Sequence, residues 1–134
     1  MTFNAGIWID HRKAVLVLIA PDSEEVREIQ SEDVEAAHSP KGVAANHEYT
    51  RNDFVPEDKR ERKEMIHLNH FYDEVIKGVH DAQSLLIFGP GEAKEELRKR
   101  LAKMQIKGRV VELKTTDKLT NRQILAYVRE HYAM

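Results

Sequence analysis

The sequence predicts an α/β fold, a mixed five-stranded sheet with helices on its faces, and three features carry that expectation. Three strand-like runs succeed one another near the N-terminus across short polar turns. An apolar run then breaks at Gly89-Pro90-Gly91 straight into an amphipathic helix, giving strand, turn and helix between Ser84 and Leu101. A further strand and a capped helix follow, so strands and helices alternate in the second half, the order that favours parallel crossovers.

Ala5 to Asp10 places Ile7 and Ile9 on one face and Trp8 on the other, the period of a strand. The polar tetrad Asp10-His11-Arg12-Lys13 joins it to Ala14 to Ala20, which is apolar on both faces like an interior strand. After Pro21, Asp22 and Ser23, the run Glu25 to Gln30 alternates poorly and carries charge, which marks a guarded edge strand. Residues 32–58 show no sustained period and contain Pro40, Gly42, Asn46, Asn52 and Pro56, so one long loop is expected.

A long helix is expected from about Asp58 to Ala82, because Met65, Leu68, Tyr72, Val75 and Val79 recur at spacings of three and four. Phe71 and Ile76 widen the stripe, and Lys63, His67, His70, Glu74 and Lys77 occupy the opposite face. Ser84 to Phe88 reads as a short strand buried on both sides. The next helix has a narrow stripe of Ala93, Leu97, Leu101 and Met104 and an outer face that is nearly all charge. Gly108 ends that unit and Arg109 to Thr115 forms the next strand. Thr120-Asn121-Arg122-Gln123 then supplies a capping box for a last helix bearing Ile124, Leu125, Val128 and Tyr132. An antiparallel three-stranded meander followed by helix, strand, helix, strand and helix is the ribonuclease H-like element order.

With 134 residues the chain suits a single domain over 1–134, enough for one core and not for two. Hydrophobic residues at 41% and charged residues at 33% argue against a membrane protein and against a wholly disordered one. The 21 basic and 23 acidic side chains leave a net charge of -2, so contact with nucleic acid has to come from a local patch. There is no cysteine, which excludes disulfides, thiolate metal sites and a cysteine nucleophile. The apolar run Ala14 to Ala20 is too short to span a bilayer and follows no basic leader, so a cytoplasmic location without a membrane partner is expected.

Phe88-Gly89-Pro90-Gly91-Glu92-Ala93-Lys94-Glu95-Glu96-Leu97 resembles a strand, turn and helix in the central domain of the archaeal and eukaryotic peptide-release factor and of its ribosome-rescue relative Pelota. There a small-residue turn precedes a lysine and an acidic helix start. Val79-His80-Asp81-Ala82 and Val111-Glu112-Leu113 fall in the same order as in that domain, and the likeness covers residues 6–132. The chain is also similar to small stand-alone bacterial translation-factor-like proteins. The resemblance implies a ribonuclease H-like domain that works in translation, with the ribosome or a structured RNA as partner. Release chemistry in that family depends on a Gly-Gly-Gln tripeptide before the long helix, the place held here by Lys41 to Glu64. No Gly-Gly-Gln occurs in the sequence and Gly42 stands alone, so peptide release is not implied and Pelota is the nearer comparison.

Candidate chemistry divides by residue type. Nucleases with this element order hold two metal ions between carboxylates on the first strand, first helix and fourth strand. Asp10 and either Asp73 or Glu74 supply two of these positions, but Leu85-Leu86-Ile87-Phe88-Gly89 supplies no third, and Asp10 also fits a turn that bonds its own backbone. His67, His70 and Glu74 share a helix face at metal-ligand spacing, although a zinc site needs a further ligand. Gly89, Pro90 and Gly91 lack the spacings of phosphate-binding loops, and Glu92, Glu95 and Glu96 already satisfy the helix dipole, so a structural turn is the stronger assignment. No serine has the context of a hydrolase nucleophile.

Lys59, Arg60, Arg62 and Lys63 form the densest basic cluster, interrupted by Glu61, and His67, His70 and Lys77 continue it along the helix. The leading expectation is a module without catalytic residues or cofactor that binds ribosome or structured RNA through residues 32–64 and this strip. The alternatives are a metal-dependent hydrolase or nuclease using Asp10, His67, His70 and Glu74, and a homodimeric or larger homo-oligomeric interaction module.

Overall fold

Alternating apolar side chains in the first two strands feed two separate cores, one on each face of the sheet. The computed structural model describes residues 3–38, 57–104 and 109–133. β1 (Asn4–Ile9) and β2 (Lys13–Ala20) pair antiparallel, with Ile7 opposite Leu16 and Trp8 opposite Val15. Ala5, Ile7, Ile9, Ala14 and Leu16 enter one core, while Trp8, Val15 and Val17 enter the other. β3 (Ser23–Gln30) completes the meander beside β2 and is exposed over most of its length, as its charges require of an edge.

β4 (Ser84–Gly89) lies parallel to β1 on its free side, and β5 (Arg109–Thr115) lies parallel to β4. The strand order is β3-β2-β1-β4-β5, the mixed five-stranded, ribonuclease H-like sheet expected from the sequence. β4 is buried on both faces: Leu85 and Ile87 join the first core, Leu86 and Phe88 the second.

Four described helices cover the two faces: α1 (Ser31–His38), α2 (Glu57–Val79), α3 (Ala93–Met104) and α4 (Asn121–His131). Phe71, Tyr72, Val75, Ile76 and Val79 of α2 meet Leu97 and Leu101 of α3 over one face. Ile124 and Val128 of α4 close the other. Burying such side chains contributes about 1.5–3 kcal/mol each, which fixes the faces. The start of α4 is a complete capping box: Gln123 N donates to Thr120 Oγ1 at 3.2 Å, and Thr120 N donates to Gln123 Oε1 at 2.8 Å. At its other end Arg129 grips Glu24 of β3 through Nε and Nη2 at 2.8 and 2.6 Å.

Three expectations need correction. Ser31–His38 is helical where the long loop was expected to begin; residues 39–56, the rest of that loop, lie outside the described residues. Glu32 and Asp33 favour the first turn of α1, but among the side chains described there Val34 is the one buried hydrophobic, too little to show a helical period. Met65 and Met104 do not join the core: they are 64% and 50% exposed. The stripe of α2 meets the core only from Leu68 onward, and that of α3 ends at Leu101. The long helix also stops at Val79, with Ala82 N donating to Val79 O at 2.9 Å.

Candidate functional site at the carboxyl ends of the parallel strands

Open α/β sheets place ligands outside the carboxyl ends of their parallel strands, where turns and helix starts leave a crevice. Here those ends are Ile9, Gly89 and Thr115. Gly89 has φ 150°, and a β-carbon there would lie 2.3 Å from Ile9 O, so the close exit of β4 past β1 requires glycine. Gly91, at φ 66°, then turns the chain into α3, whose first bonds run from Glu95 N and Glu96 N to Glu92 O, each 3.0 Å.

The β1–β2 turn stands beside this corner. Asp10 Oδ1 accepts hydrogen bonds from Arg12 N and Lys13 N, both at 2.8 Å, so its carboxylate shapes the turn. His11 Nε2 lies 3.1 Å from Glu96 Oε1 of α3, and Tyr72 OH of α2 donates to the same oxygen. Burial first, and the Glu96 carboxylate second, raise the Tyr72 phenol well above the ordinary tyrosine range. Three elements thus meet at one carboxylate.

His11 borders two clefts. One, of about 360 Å³, lies between the β1–β2 turn and the Gly-Pro-Gly corner and is lined by Asp10, Arg12, Gly91, Glu92 and Lys118. The other, of about 430 Å³, is lined by Glu35, Lys63, Glu64, His67 and Leu68. Lys63 and His67, read from the sequence as part of one strip, therefore do share a surface, and His67 Nδ1 faces the Glu35 carboxylate of α1. Arg62 is exposed, and His70 is half-buried farther along α2. The side chains of Lys59 and Arg60 lie outside the described residues. Lys77 is about four turns beyond Lys63, roughly 21 Å along the helix. It pairs with Glu74 at 3.0 Å and lines a different cleft with Arg27 and His80.

The carboxylates considered for a metal centre are engaged elsewhere. Asp10 holds its turn, Glu74 pairs with Lys77, and Asp73 takes a two-pronged contact from Arg100 at 2.5 and 2.9 Å. Among the described residues no group of three or more His, Asp or Glu side chains is placed to hold a metal ion. Nor is any described helix long and apolar enough to cross a membrane.

Sequence reasoning missed the Tyr72, Glu96 and His11 contact, since His11 and Glu96 are 85 positions apart and no local pattern links them. It also left Lys94 on the charged outer face of α3. Lys94 is only 5% exposed, and its ammonium donates to Gly91 O at 2.5 Å beneath the corner.

No protein-family model and no curated protein matches the sequence. Solved structures do share its fold. The Pelota protein of Thermoplasma acidophilum is 14% identical with a TM-score of 0.58, over 98% of this chain and 33% of that one. An archaeal translation termination factor is 16% identical with a TM-score of 0.56, over 98% of this chain and 35% of that one. Pelota of Archaeoglobus fulgidus is 14% identical with a TM-score of 0.52, over 97% and 31% respectively. The chain therefore spans about a third of the length of each of these proteins. Identities this low speak for the fold alone, and the fold of this chain is that of a one-third portion of Pelota and of the archaeal termination factor.

Proposed function

We propose that this chain is a non-catalytic binding module of the translation-factor kind, docking on the ribosome or on structured RNA. Residues 32–64 and the polar face of α2 make the contact, through Lys59, Arg60, Arg62, Lys63, His67, His70 and Lys77. The observation that carries this role is the fold likeness to portions of Pelota and of a translation termination factor, over almost the whole chain. The surface is compatible with it: Arg62 and Lys63 are exposed on α2, and Lys63 and His67 line an open cleft. Cations fixed on a helix offer a phosphate backbone a preformed track. The net charge of -2 makes binding depend on this track and not on the overall field.

Co-sedimentation with purified ribosomes tests the role. At low salt the protein pellets with ribosomes, and the bound fraction falls steeply as salt rises. Charge reversal at Lys59, Arg60, Arg62 and Lys63 reduces it further. A protein that stays in the supernatant at low salt is not such a module.

A further inference from the structure

We propose that the cleft between the β1–β2 turn and the Gly-Pro-Gly corner is a phosphate subsite that seats a backbone phosphate of the bound RNA. This subsite rests on the RNA contact proposed above and adds a second contact area, joined to the first at His11.

Charge in the cleft is unevenly satisfied. Arg12 and Lys118 are exposed on its walls, and neither has a carboxylate partner among the described residues. Two nearby carboxylates are engaged, Asp10 by two backbone N–H groups and Glu96 by Tyr72 and His11, while Glu92 is exposed on the lining. Behind the Gly91 wall sits the buried ammonium of Lys94. It has three protons to donate, and Gly91 O is its one acceptor among the described residues. A buried cation without a counter-charge is costly to the fold, and an anion in the adjoining cleft offsets that cost. On the lining itself Arg12 and Lys118 stand against Asp10 and Glu92, and because Asp10 is committed to its turn, the two cations face one exposed carboxylate.

The form of the cleft selects the ligand. A guanidinium matches two phosphate oxygens at once, and an ammonium adds a point charge beside it. Among the described residues no Phe, Tyr or Trp lines either cleft, which leaves His11, His67 and Arg12 as the groups that could stack on a nucleobase. A free nucleotide would find no large aromatic ring for its base among the described residues. A phosphate carried in a continuous backbone, whose neighbouring phosphates reach Lys63 across His11, is the better fit.

Fluorescence anisotropy with a fluorescein-labelled RNA hairpin, run as a salt series, tests the subsite. The double variant R12Q/K118Q is expected to bind more weakly, with a salt slope shallower by about 1.5, at roughly 0.7–0.9 per lost phosphate contact. R12K keeps the wild-type slope. Both substituted side chains are exposed, so the thermal midpoint stays near wild type, and Lys118→Gln alone carries the test should the double variant be unstable. An unchanged slope in R12Q/K118Q, while reversal at Lys59, Arg60, Arg62 and Lys63 still weakens binding, overturns the subsite and leaves the RNA contact standing. Wild-type protein that binds no RNA at low salt overturns both. Competition by a nucleoside monophosphate as strong as by the hairpin also overturns the subsite, because the ligand would then be a free nucleotide.

Discussion

At Gly89 the carbonyl of Ile9 occupies the space that any side chain would need, and the backbone already sits at φ 150°. Gly89→Ala is therefore expected to cost roughly 2–4 kcal/mol, strain and clash combined. Gly91, at φ 66° with open space for 4 Å around the place a β-carbon would take, should lose only about 1–2 kcal/mol on the same change. Urea denaturation of the two variants decides the matter, and equal midpoints would mean that β4 can shift away from β1. Tyr72 supplies a pH test. Burial and Glu96 raise its phenol, so the unfolded chain ionises first. Stability is then complete below the ordinary tyrosine range, near about pH 10, and declines above it. Tyr72→Phe should flatten the alkaline limb of a plot of melting temperature against pH; a limb as steep as wild type would place the sensitivity elsewhere. Neither contact was legible in the sequence. Lys94 is equally opaque, because a charged residue with a long aliphatic stem buries as readily as it projects.

Elements were more legible than residues wherever apolar positions outnumbered polar ones. β1, β2 and β4 announce themselves because their side chains enter two cores in strict alternation. α1 stays hidden because Val34 is the one buried hydrophobic among its described side chains, and the apolar pattern runs past the true end of α2 because periodicity does not mark where a helix leaves the sheet. The start of α4 is readable from Thr120 and Gln123 alone, as capping chemistry is local. Thr120→Ala is expected to lower stability by about 1 kcal/mol. Thr116→Ala, which removes a hydroxyl bonded at 3.2 Å to the neighbouring carbonyl of an exposed turn, should stay within about 0.5 kcal/mol. Chemical denaturation giving equal losses for both would show that the box contributes nothing beyond a generic threonine.

Across the whole molecule, strand order followed from simple rules of connection, since a meander and two crossovers admit few arrangements of five strands. The clefts followed from no such rule. Their walls come from the β1–β2 turn, the Gly-Pro-Gly corner, the segment before α4, and helices α1 and α2, which only the folded sheet brings together. Near-balanced charge concealed them further, because 21 basic and 23 acidic residues give no composition signal for a local excess. The position of β1 at the centre of the sheet has a consequence for how the protein is made. Its antiparallel edge can zip to β2 as soon as the first hairpin exists, whereas its parallel edge waits for Ser84–Gly89. Until then an apolar strand offers open donors and acceptors to any passing extended chain, the circumstance in which nascent proteins stick to one another. Burying that seam is a late, non-local event, so this architecture trades folding speed for a central strand flanked on both sides.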